Sequence, residues 1–184
     1  MVHIFQVDED PALRSIAKPI LIGDIGSARI QKIIGVMKKA MHSQDDAVAI
    51  AAPQVGVPLR IFIVSGKVFM EPEEMQEEMG DKKPAAKTKD IPPDLVCINP
   101  ELKKLSRKKE QMEEGCLSVR WLYGKVKRSE KATLRAHDEH GRLFTRGASG
   151  LLAQVFQHEN DHLDGIIFTD KATDIREVPP TDEK

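Results

Sequence analysis

Apolar residues recur along this chain with two different periods, and each change of period marks an element. In SARIQKIIGVMKKAMHS, residues 27 to 43, Ile30, Ile33, Ile34, Met37 and Met41 fall on one face of a 3.6-residue helix, with Ser27 placed as its N-cap. LRIFIVSG and LVCINPELKKL are rich in β-branched residues and read as strands. KATLRAHDEHGRLFTRGA alternates on both sides of a turn near Glu139 to Gly141, which predicts a hairpin. A last helix is expected from about Ser149, its candidate N-cap, to a stop at Gly165. Its first half carries Leu151, Leu152, Val155 and Phe156 as a core-facing stripe. Several strands and one strongly apolar helix predict an α+β fold, with that helix packed against sheets.

The stripe then meets QHENDHLDG, residues 157 to 165. Polar groups set into an apolar face cost several kcal/mol, of order 2–7 each, unless something pairs them. His158, Glu159 and His162 match H-E-x-x-H. On a helix the two histidines are i and i+4, so both imidazoles leave one face about one turn apart and can meet one metal ion. Glu159, one step round, is placed to take a proton from water. A third ligand decides between a site and a chance match. The closing histidine of the longer metalloprotease pattern would fall at position 168, which is Phe168. Glu177 and Glu183 lie in a proline-containing tail. Cys116, in the glycine-flanked EEGCLS, suits a thiolate at a metal, whereas Cys97 in VCIN reads as a small hydrophobe of a buried strand.

Composition narrows the setting. The chain of 184 residues has a single-domain length, 40% apolar and 31% charged residues, and a formal net charge of −1. That charge gives no general argument for nucleic-acid or anionic-membrane binding. No apolar run approaches a bilayer span. MVHIFQVDEDP lacks the plan of a signal or transit peptide, and two cysteines are too few for a disulfide framework, so the cytoplasm is expected. One catalytic domain over residues 1–184 is expected, with a charged surface insertion at about 66–93 and a loose tail from about 172. Trp121 and Tyr123 read as packing residues, with groove-lining as the less favoured use. His3, His42, His137 and His140 read as surface residues. Asp161 stays open between orienting a group near the metal and lying on a solvated helix face.

Taken together, E-G-C-L-S (Glu114 to Ser118), Q-H-E-x-D-H-L-x-G (Gln157 to Gly165) and A-A-P-Q-V-G (Ala51 to Gly56) resemble the peptide deformylase family. FQVDEDPALRSIAKPI and CINPEL are also similar to that family, and the resemblance covers nearly the whole chain apart from the insertion and the tail. It implies antiparallel sheets packed around a central, metal-binding C-terminal helix. It implies hydrolysis of the N-formyl group from the formyl-methionine of new polypeptides, with release of formate. Cys116, His158 and His162 would hold one divalent metal ion per chain, Fe(II) by preference, with Zn(II), Ni(II) or Co(II) as substitutes. Glu159 would be the general base, and the Gln54 side-chain amide with the Leu117 backbone N–H would stabilise the oxyanion. Val48, Ala49 and Gly115 would pair with the substrate backbone, and Leu151 and Val155 would line the methionine pocket or form plain core. Partners would be N-formyl-methionyl nascent peptides and, transiently, the ribosome, without nucleic-acid specificity or a membrane.

One departure bears on the substrate range. The family's first motif is usually G-φ-G-φ-A-A-x-Q, and here Ala47 and Ala49 replace both glycines. Glycine in a strand often marks close approach of a ligand backbone. The alternative is therefore a deformylase-like protein with altered or lost substrate range. A zinc peptidase is a further rival, disfavoured by Phe168 and by EGCLS. A purely structural metal is another, disfavoured because no fourth protein ligand is evident. The Pro179-Pro180 pair argues against a long C-terminal docking helix. The insertion's DKKPAAKTK could meet phosphate, but a solvated loop without a partner is preferred.

Overall fold

The computed structural model describes residues 3–70 and 91–179. Its eight strands are β1 (Ala49–Ala51), β2 (Ile61–Val64), β3 (Leu95–Leu105), β4 (Lys109–Gly115), β5 (Leu122–Ser129), β6 (Lys131–His137), β7 (Leu143–Ser149) and β8 (Thr173–Glu177). Among the described residues the long helices are α1 (Ala28–His42) and α2 (Gly150–Leu163). All strand pairs are antiparallel, in one sheet of order β1-β2-β3-β6-β7 and a second of order β4-β5-β8.

The strand β2 shows why the fold is layered. All four of its residues, IFIV, are buried. Ile61 and Ile63 join one core cluster with Ile50, Ile34 and Met37, while Phe62 and Val64 join a second with Ala49, Ala51, Val155 and Phe156. Alternate side chains of a strand leave opposite faces. The first sheet is therefore covered by α1 on one side and α2 on the other, and an unbroken apolar run is what a doubly covered strand requires. α2 also touches β5 of the second sheet, which places it between the two sheets. Burial of a side chain such as Phe156, fully out of water, stabilises by about 1.5–3 kcal/mol.

Helix ends follow the sequence in part. The Ser27 hydroxyl accepts from the Ile30 N–H at 3.4 Å. Ser149 precedes α2 as expected, but its side chain makes no capping bond, because β7 runs straight into the helix. The stop at Gly165 has a positive φ of 74°, and a Cβ there would sit 2.8 Å from the Arg14 carbonyl oxygen. Only glycine fits both demands. The Ala17 N–H donates to the Leu163 carbonyl nearby, at 2.9 Å, so the N-terminal segment is laid against the end of α2.

The loose tail from about 172 is corrected in part: Thr173–Glu177 forms β8 and pairs with β5, through Leu122↔Glu177 and Tyr123↔Arg176. Exposed, polar β8 has no apolar alternation, so only the partner strand's open edge reveals it. The charged insertion lies, for residues 71–90, outside the described residues. Its first residues, Gly66–Phe69, form a 3-10 turn, and the Gly66 N–H donates to Asp94 Oδ1 at 3.1 Å across the base of the segment. Among the described residues no helix is long and apolar enough to cross a membrane.

Candidate metal centre

The one-turn spacing on α2 brings the His158 and His162 rings to 4.9 Å between centroids, nearly perpendicular at 80°. Cys116 arrives from the opposite side, just after β4, with its Sγ 3.2 Å from His162 Nε2. One donor atom from each of Cys116, His158 and His162 lies within 4.8 Å of the others. His158 Nδ1 bonds to Glu114 Oε2 at 2.8 Å, which leaves Nε2 as the nitrogen directed to the cluster. The structure thus brings Cys116, and not Cys97, to the histidines; Cys97 is fully buried among Phe62, Leu134 and Phe156.

The electrostatics of this centre fit a cation. Removal from water would raise the Cys116 thiol, but His162 and His158 overcome that and pull it down to about 5. Desolvation would lower His158, yet its bonds to Cys116 and Glu114 hold it well above its ordinary value. Both histidines thus favour a deprotonated Cys116, the form that binds a metal, and a divalent cation binding there displaces protons from its donors. Glu159 is raised, chiefly by burial and against the pull of both histidines. Its Oε2 is buried with no hydrogen-bond partner, as is His162 Nδ1. A buried carboxylate with a free oxygen beside a soft thiolate and two imidazoles is a donor set suited to a transition metal with an open position.

Gln54 reaches the same point from the first sheet. The 3-10 turn Ala52–Val55 follows β1, and Gln54 Oε1 accepts from the Ala51 N–H at 2.8 Å. This fixes the amide so that Nε2 faces Ser118 Oγ at 3.3 Å and Cys116 Sγ at 3.5 Å. The Leu117 carbonyl accepts from Gln6 Nε2 at 3.1 Å, which holds the backbone just after the cysteine.

These groups lie at one side of a cavity of about 270 Å³, and Val48, Ala49, Gly115, Leu151 and Val155 all border it. β1 and β4 are edge strands of their respective sheets, and both face this groove. Val155 is nearly buried and also packs with Phe156, so it serves core and groove together; Leu151 is 38% exposed. Trp121 and Tyr123 border the groove too, which corrects their reading as packing residues. Their position follows from pairing: Tyr123 stands opposite Gly115, and a Cβ at Gly115 would meet its ring at 2.7 Å. Ala47 and Ala49 are 5% and 7% exposed, and their methyl groups belong to the core clusters on the two faces of the sheet.

Four contributors escaped sequence reasoning. Glu114 orients His158, and Arg128 on β5 grips Glu114. Ser118 faces Gln54. Gln157 uses both ends of its amide on the Ser129 backbone, at 2.9 and 3.0 Å, fastening α2 to the β5–β6 connection. The signal for Glu114 lay within EEGCLS, where the alternation of a strand sends Glu114 to the side opposite its neighbours. Asp161 is not on a free solvated face, since it accepts from Arg128 at 2.6 Å and Lys171 at 2.7 Å.

The chain matches the family model described as polypeptide deformylase over residues 1–178. It is 39% identical over 163 residues to peptide deformylase 1A, chloroplastic/mitochondrial, of Arabidopsis thaliana, covering 88% of this chain and 58% of that protein. It therefore spans less than two thirds of the length of that relative. To the peptide deformylase of Christiangramia forsetii it is 36% identical over 169 residues, covering 91% and 80% of the two chains. Its fold is similar to the Met-Ala-Ser-bound crystal structure of a class I type b peptide deformylase from Acinetobacter baumannii, with a TM-score of 0.74, 29% identity, and coverage of 93% and 98%.

Proposed function

The chain belongs to the polypeptide deformylase family, and on that premise we propose that it hydrolyses the N-formyl group from formyl-methionine at the start of new polypeptides. The observation that carries this reading is the unpartnered, buried Glu159 oxygen beside the Cys116, His158 and His162 donors, at the side of a groove flanked by two open strand edges. Cys116, His158 and His162 would hold one divalent ion, which when bound supplies Lewis acidity, activating water and polarising a carbonyl. Fe(II) is the ion we assign, with Zn(II), Ni(II) and Co(II) able to replace it.

Every other step belongs to the chain. A formyl-methionyl peptide lies extended between β1 and β4, its backbone paired with Val48, Ala49 and Gly115 as an added strand. Its methionine side chain rests against Leu151 and Val155. Glu159, its carboxyl raised by burial, accepts a proton from water as the water oxygen attacks the formyl carbon. Gln54 Nε2 and the Leu117 N–H donate to the oxygen that gains charge, each such donor contributing about 2.7–4 kcal/mol. Glu159 then gives its proton to the departing amine nitrogen, and formate leaves.

The Acinetobacter protein is described as bound to Met-Ala-Ser, a peptide without a formyl group, as the product of such a reaction would be. A deformylase-like protein with altered or lost substrate range is less well supported, because Ala47 and Ala49, although they border the groove, are buried and pack into the core clusters. We assign the whole chain to one catalytic domain acting in the cytoplasm, with any ribosome contact transient. Anaerobically prepared, iron-loaded protein is expected to release formate from formyl-Met-Ala-Ser, and a chelator should stop it. No formate from fully loaded protein would overturn the proposal.

A further inference from the structure

We propose that Arg128 is a positioning residue that sets the spacing between the cysteine ligand and the histidine pair. This rests on the reading of Cys116, His158 and His162 as a metal centre. Arg128 touches none of the three. Its Nε donates to Glu114 Oε1 at 2.7 Å and its Nη2 to Glu114 Oε2 at 2.9 Å. Its Nη1 donates to Asp161 Oδ2 at 2.6 Å. Glu114 is two residues before Cys116 at the end of β4, and Asp161 lies between His158 and His162 on α2. One planar guanidinium on β5 therefore ties together the two elements that carry the ligands. The tie ends on a ligand, since Glu114 Oε2 also bonds to His158 Nδ1. On the outer side Lys171 holds the second Asp161 oxygen.

The Arg128 and Glu114 side chains are 4% and 2% exposed. A pair so far from water adds little to net stability, since desolvation offsets most of the attraction. What a three-bond fork of this kind does supply is a fixed distance and angle, because the guanidinium is rigid and each of its bonds has one direction. Lysine, a point charge on a flexible stem, cannot span both carboxylates in that way.

The test uses the full chain loaded with Co(II), whose visible absorption reports ligand geometry independently of turnover. Arg128→Lys is expected to weaken cobalt binding by about 10–100-fold and to shift or flatten the cobalt bands. Asp161→Asn, which removes only the helix side of the tie, should move the bands in the same direction with a smaller loss of affinity. Cobalt bands and affinity within twofold of wild type in Arg128→Lys would overturn the positioning role, whatever the change in melting temperature. Should that variant not fold by circular dichroism, Asp161→Asn decides by the same two readouts, and unchanged bands overturn the role. Wild-type protein that takes up no cobalt would instead end the metal-centre reading itself, so the two failures are distinguishable.

Discussion

Gln54 and Ser118 meet across the junction of the two sheets, Nε2 to Oγ at 3.3 Å, with the Gln54 carbonyl oxygen already committed to the Ala51 N–H. The amide is therefore preset before any peptide arrives, and its donor points to the ground between β1 and Cys116. Gln54→Leu should lower kcat/KM by about 10²–10³, the loss typical of one oxyanion donor. Metal content should stay at the wild-type level. Steady-state formate release, read beside metal analysis of the same preparation, checks this; loss of both together would count against the donor role.

Glu159→Gln should keep the metal and lose nearly all hydrolysis, because an amide cannot accept the proton. The carboxylate is buried and lacks a partner on one oxygen, so the variant should unfold at the same or a slightly higher temperature. Metal analysis, formate release and thermal melting of one sample give the three readings. More than a few per cent of wild-type turnover at full occupancy would exclude the role.

The two cysteines should separate cleanly. Cys116→Ala is expected to abolish metal binding, whereas Cys97→Ala should bind normally and lose about 1–2 kcal/mol of stability from a small cavity beside Phe62 and Phe156. Denaturant titration and metal analysis of both variants test this, and the reverse pattern would move the ligand to Cys97.

Acid should unfold the metal-free protein in a window set partly by Glu114. Burial pushes its carboxyl up, but Arg128 and His158 win and hold it at about 2, below the ordinary 4.5. The charged form is favoured by the fold, so its contribution is complete above pH 4.5 and is lost as pH falls toward 2. At about 1.4 kcal/mol per pH unit, this pH-dependent part is on the order of a few kcal/mol, set against the cost of taking the pair out of water. The stability gap between wild type and Glu114→Gln should be widest above pH 4.5 and shrink toward pH 2; a gap constant with pH would rule the linkage out.

Deleting residues 71–90 and joining the ends through a short glycine linker should leave formate release from short peptides unchanged. The base of the segment is closed without it, by Asp94 accepting from the Gly66 N–H and pairing with His42 at 2.9 Å. Co-sedimentation with ribosomes at low salt, before and after the deletion, shows whether the segment has a partner; salt-sensitive binding lost with it would show that it does.

What could be read from the chain tracks where the physics is local. α1, β2, β3, the β6–β7 hairpin and the end of α2 at Gly165 rest on periodicity, capping and a turn, and they stand where the sequence places them. The i, i+4 histidines are equally local. β4, β5 and β8 were hidden because charged residues alternate with few apolar ones, and their order depends on a partner strand. Arg128 was hidden for a related reason. Its carboxylates lie 14 and 33 residues away in sequence; the pairing of β4 with β5 brings up Glu114, and the packing of α2 against β5 brings up Asp161.

The seating of the N-terminal segment against the end of α2, through Ala17 and Leu163, has a consequence for how the protein itself is made. β1, Cys116 and α2 come from the first, middle and last thirds of the chain, and β8 closes the second sheet only after α2 is complete. Synthesis delivers them in that order, one after another. The first strands must wait, unpaired on one face, until about a hundred later residues have left the ribosome. In a chain still being translated, the Cys116 side of the groove is therefore in place before the histidine side exists, and the two meet only once α2 has been made.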